Sequence, residues 1–64
     1  MPEYNIAAER VRRNIKQNKM AKDLGITPQY LNNIEKGRTE PRRDLMIKIA
    51  DYLHSDVKEL FFRD

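Results

Sequence analysis

An all-α fold of five short helices follows from three observations on these 64 residues. Proline falls only at positions 2, 28 and 41, and glycine only at 25 and 37, so breaks punctuate the chain at short intervals. Between the breaks apolar residues recur at helical spacing, and no run of β-branched alternation offers a strand. Leu, Ile, Val and Phe number 15 of the 64, just above the level of roughly 20% below which chains stay disordered. A folded domain is therefore expected.

The first helix is expected from about Asn5 to Arg13, with Asn5 as its cap and Ile6 facing inward. Asn14 is the residue that can turn left-handed and end it. The second runs from about Gln17 to Leu24, with Met20, Ala21 and Leu24 on one face, and Gly25 stops it. The third has Thr27 as N-cap and Pro28 at the first helical position, where proline costs least. Leu31 and Ile34 face inward and Gly37 ends it. The fourth runs from about Arg43 to Leu53 with a stripe of Met46, Ile49, Ala50 and Leu53 at i, i+3, i+4, i+7. The fifth opens at Ser55 or Asp56, where Asp56 and Glu59 offer a capping-box-like pair, and its apolar face is Val57, Leu60 and Phe61.

Sixty-four residues suit a single domain, 1–64, and not two. A chain this short buries only about 60% of its unfolded surface, so stability is marginal. There is no cysteine, so neither a disulfide nor a thiolate zinc site can staple it. Apolar packing, helped by oligomerisation, must suffice. No apolar run exceeds three residues, too few to span a membrane. The absence of cysteine and of a basic-then-apolar N-terminal signal fits a cytoplasmic protein.

Charge is unevenly spread. Arg10 to Arg43 holds ten basic and three acidic residues, a balance of +7, and the rest of the chain carries −4. Such asymmetry fits a face for a polyanion, although an ordinary solvated surface accounts for it equally well.

The stretch QNKMAKDLGITPQYLNNIEKG, residues 17–37, is the most informative. Two short helices flank the turn Gly25-Ile26-Thr27. Small Ala21 lets the second cross the first closely, Gly25 supplies the positive φ of a sharp turn, and Ile26 fills the angle between them. This pattern resembles the helix-turn-helix of the Cro/phage-repressor (XRE) family at Gln17, Met20, Ala21, Leu24, Gly25, Ile26, Thr27, Leu31, Ile34, Glu35 and Gly37. The similarity extends over residues 6–61. It implies a compact, lambda-repressor-like five-helix DNA-binding domain. It also implies a transcription regulator, typically a dimeric repressor on a double-stranded DNA operator.

The resemblance places Pro28, Gln29, Asn32 and Asn33 at positions that read bases, with the third helix in the major groove. Gln and Asn both donate and accept, which suits bidentate contact with adenine. Thr27 could add a phosphate bond or a thymine-methyl contact. Phosphate contacts are expected from Lys16, Gln17 and Lys19 at the start of helix two, from Tyr30, and from Lys36, Arg38, Arg42 and Arg43 beyond the recognition helix. Arg38, Arg42 or Arg43 could reach the adjacent minor groove. Arg10 matches the family's helix-one arginine and is expected to pair with Glu35, clamping helix one to helix three and aiming Arg10 at the DNA backbone. The bland reading of each amide or cation is solvent exposure.

Departures from the family pattern are Lys16 and Arg42 where small capping residues are usual, Arg43 and Arg13 at positions often apolar, and His54 in place of a glycine. Leu60, Phe61 and Phe62 are the expected dimer contact. His54 has no cysteine or second histidine as partner, so catalysis and a metal site are not expected. Nor does any cofactor or small-molecule site emerge. The alternative is a protein-interaction module, an antitoxin or anti-repressor.

Overall fold

A computed structural model describes residues 5–61 and contains five helices: α1 (Ile6–Arg12), α2 (Gln17–Leu24), α3 (Pro28–Glu35), α4 (Arg43–Tyr52) and α5 (Val57–Phe61). No strand occurs among the described residues. The all-α reading holds, and each boundary lies within two residues of its expected place.

Four of the five helices end in the same way. The left-handed residue is Asn14 after α1 (φ 61°), Gly25 after α2 (76°), Gly37 after α3 (75°) and His54 after α4 (53°). At each, the next residue's N–H returns to a carbonyl five back: Ile15 to Arg10, Ile26 to Ala21, Arg38 to Asn33 and Ser55 to Ala50, at 2.9–3.1 Å. That pairing satisfies carbonyls the helix leaves open and reverses the chain tightly. A Cβ placed on Gly25 would meet no atom within 4 Å, so its backbone angle, not space, asks for glycine.

The helix starts are less uniform. Thr27 Oγ1 accepts from Tyr30 N at 3.0 Å and Asp56 Oδ1 from Lys58 N at 3.0 Å, so α3 and α5 are capped. Asn5 does not cap α1 through its side chain. Its backbone (φ −80°, ψ 16°) is not in the extended region a cap requires. Its N–H instead donates to Leu60 O at 3.3 Å, fastening the start of α1 to α5. Lys16 and Arg42 have extended backbones but make no side-chain cap.

Ile6, Met20, Ala21, Leu24, Leu31, Ile34, Met46, Ile49, Ala50, Leu53, Leu60 and Phe61 form one buried cluster. Ile15, Ile26, Tyr30, Leu45, Tyr52 and Val57 pack around it. Every helix contributes, so none is stable as a separate unit. The radius of gyration, 10.4 Å, matches the roughly 10.7 Å of a packed chain this long.

Candidate nucleic-acid interface

Helix α3 is anchored by one face and open on another. Leu31, Ile34 and Glu35 are buried; Thr27, Pro28 and Gln29 are exposed, and Asn32 and Asn33 are half-exposed. The spacing that buries i, i+3 and i+4 leaves the amide side chains on the remaining surface. Ile26 is half-buried beneath the turn and Ala21 is fully buried at the α2–α3 crossing.

Glu35 is the only buried charged residue described, at 3% exposure. Arg10 meets it with two bonds, Nε to Oε2 at 2.7 Å and Nη2 to Oε1 at 3.2 Å. The Arg10 Nη1 also donates to Ile15 O at 2.9 Å. The arginine thus ties α1, the turn after it and α3 together. Gln17 joins from α2, its Nε2 donating to Glu35 Oε1 at 3.0 Å and to Asn32 Oδ1 at 3.3 Å. Three helices therefore converge on one carboxylate, and among the described residues no buried polar side-chain atom lacks a partner. The Arg10–Glu35 pairing is present. Three of the five Arg10 donors and both Gln17 N–H groups are used inside the protein.

The cations divide into two groups. Arg12 and Arg13 both bond Glu9, whose pKa falls chiefly through the hydrogen bond from Arg13. Lys19 bonds Asp23 at 2.9 Å, one helical turn on. Lys16, Lys36, Arg38, Arg42 and Arg43 are exposed and join no ion pair among the described residues. They stand before α2, after α3 and at the start of α4, so these cations bracket the α2–α3 pair along the chain.

Tyr30 is half-buried and packs its ring on the core. It shares a shallow recess with Gly25, Ile26, Arg42, Leu45 and Lys48, which brings Arg42 beside the turn. Leu60 and Phe61 are 1% and 8% exposed and belong to the core, because a five-residue helix must bury its whole apolar stripe to be held. They have little surface left for a dimer contact; Phe62 lies outside the described residues. Apolar surface does remain around Ile47, which is 46% exposed and lines a groove with Pro41, Met46 and Val57, rimmed by Glu40 and Arg43.

Sequence reasoning missed the Gln17–Asn32 bond and the bond from Tyr52 to Asp23, 2.6 Å, which joins α4 to α2. That hydroxyl lowers the Asp23 pKa, assisted by Lys19, and the same bond raises the Tyr52 pKa. Lys19 and Asp23 themselves stand at the i, i+4 spacing of neighbours on one helix.

A helix-turn-helix family model matches residues 6–60. The ImmF control region 10 kDa protein of Bacillus phage phi105 is 36% identical over 55 residues, 86% of this chain. The chain spans 61% of that protein's length. An HTH-type transcriptional regulator of Methanocaldococcus jannaschii is 35% identical over 48 residues, covering 75% of this chain and 73% of the relative.

Proposed function

The chain belongs to the Cro/phage-repressor (XRE) type of helix-turn-helix family, a family of DNA-binding transcription regulators, and on that premise we propose that it binds an operator as a homodimer and represses transcription. In this reading α3 enters the major groove. Thr27, Pro28, Gln29, Asn32 and Asn33 meet base edges, and Lys16, Lys36, Arg38, Arg42 and Arg43 meet phosphates. Such a regulator works where the DNA is, in the cytoplasm. No helix described is long and apolar enough to cross a membrane.

One observation carries the proposal: the exposed Gln29 and half-exposed Asn32 and Asn33 of α3 are bracketed along the chain by exposed cations that join no ion pair among the described residues. Five such cations against Glu40 and Asp44, likewise in no ion pair among the described residues, leave an excess of positive charge, which suits a polyanion. The repressor role is supported by the likeness to a phage control-region protein.

Gel shift or fluorescence anisotropy on mixed duplex DNA tests the reading. Binding should weaken steeply between 50 and 200 mM salt, by about 0.9 in log–log slope per phosphate contact. No binding at about 50 mM salt would favour a protein partner instead.

The dimer is best supported at the α4 groove. It offers exposed apolar surface and a charge of each sign, so two copies related by a twofold axis could set Glu40 against Arg43. Ile47→Lys should shift sedimentation towards monomer at tens of micromolar while the melting temperature stays near wild type. Wild-type sedimentation as monomer alone at high micromolar concentration would refute the dimer.

A further inference from the structure

We propose that Gln17 fixes the polarity of Asn32, so that Asn32 offers DNA hydrogen-bond donors only and takes an acceptor rather than the mixed donor–acceptor edge of adenine. This rests on the DNA-binding reading above. The chain of cause starts at Glu35, which is buried and whose carboxylate, bonded twice by Arg10, offers only acceptors. Gln17 lies 3.0 Å from Glu35 Oε1, so its amide must present the –NH2 end there. The same Nε2 stands 3.3 Å from Asn32, where a second –NH2 would set donor against donor. Asn32 therefore turns Oδ1 to Gln17.

The consequence is on the surface. Asn32 is half-exposed on α3, and its Nδ2 has no partner among the described residues. A bidentate contact with adenine needs Oδ1 and Nδ2 side by side on one base edge. Here Oδ1 gives one lone pair to Gln17 and is turned towards α2 rather than lying beside Nδ2 on a base edge, so the two N–H groups are the end left without a partner among the described residues. They suit guanine O6 or N7, thymine O4 or a phosphate oxygen. The charge of Arg10 thus acts on base reading without touching DNA. Gln17 is a positioning residue, and Asn32 carries the contact.

The test uses a duplex selected by the wild-type chain from random DNA. Asn32→Ala should bind it roughly ten-fold or more weakly. Asn32→Asp keeps an acceptor for Gln17 and loses the donors, so it should melt like wild type yet bind more weakly than Asn32→Ala. Gln17→Met keeps the side chain's length and removes its donor. Since it acts through Asn32, the double variant should bind no more weakly than Asn32→Ala.

Two arms identify the acceptor. If Asn32→Ala erases the preference at one base pair, that pair should be G·C, or an A·T pair that tolerates purine in place of adenine, which removes the N6 amino group. If it erases none, the acceptor is phosphate and the salt slope should fall by about 0.9. Full affinity of Asn32→Ala, additive losses in the double variant, or a ten-fold loss with purine would overturn the proposal. Failure of the wild-type chain to bind any duplex would refute the DNA reading itself, and this inference with it.

Discussion

Replacing Arg10 with Met should destabilise the domain far more than replacing its partner. The two bonds to Glu35 and the one to Ile15 disappear, and a carboxylate at 3% exposure keeps only Gln17. Stranding a buried charge costs about 3–5 kcal/mol. A domain of this size has roughly 3–10 kcal/mol in total, at about 0.05–0.15 kcal/mol per residue. The melting temperature should therefore fall by about 12 °C or more, at roughly 4–8 °C per kcal/mol. Glu35→Gln is milder: the Arg10 side chain is 13% exposed and can still reach water, so the loss should be about 1.5–3 kcal/mol. Arg10→Met with Glu35→Leu removes both charges and should recover most of the deficit. Urea and thermal unfolding followed by circular dichroism measure all three. A loss below about 1 kcal/mol for Arg10→Met, or a double variant less stable than that single one, would refute the reasoning.

Lys16→Ser places a capping hydroxyl on an already extended backbone; stability should rise by about 1 kcal/mol and the salt slope of DNA binding should drop by about 0.9. His54→Gly relieves a left-handed residue with a Cβ and should raise the melting temperature by several degrees, corresponding to about 1 kcal/mol. Tyr52→Phe should return the Asp23 pKa towards its ordinary value of 3.8, read by carboxyl NMR titration. Because the folded Asp23 pKa is lowered, its contribution is present above the unfolded value and lost as pH falls through the folded one; the wild-type advantage over Tyr52→Phe should fade under acid conditions. The raised Tyr52 pKa acts in the opposite direction: that contribution is present below pH 10 and lost as pH rises through the folded value.

The parts of the fold governed by local chemistry were legible in the sequence. Thr27-Pro28, Gly25, Gly37 and Asn14 each act through their own backbone angles, so their roles can be assigned without knowing what surrounds them. The apolar stripe of α4 needs only the helical period. What stayed hidden depends on tertiary approach. Gln17 meets Asn32 across fifteen positions and Asp23 meets Tyr52 across twenty-nine, separations at which no periodicity operates. Asn5 illustrates the same limit. Its residue type suits a cap, yet its docking on Leu60 sets a backbone conformation that a cap cannot use.

The distribution of caps bears on function. The helices that begin with a capping side chain are α3 and α5; α2 and α4 begin with Lys16 and Arg42. Both cationic positions have the extended geometry that would let serine bond the helix. Each therefore forgoes about 1 kcal/mol, and a positive charge at a helix N-terminus opposes the dipole. In a domain with so little stability in reserve these are substantial losses, and neither cation recovers them through an ion pair among the described residues. An anion placed against these ends reverses the balance, because it meets both the open amides and the side-chain charge. The two helices that begin with a cation flank α3 in the chain, so these uncapped, positively charged ends are places where a phosphate backbone would stabilise the protein.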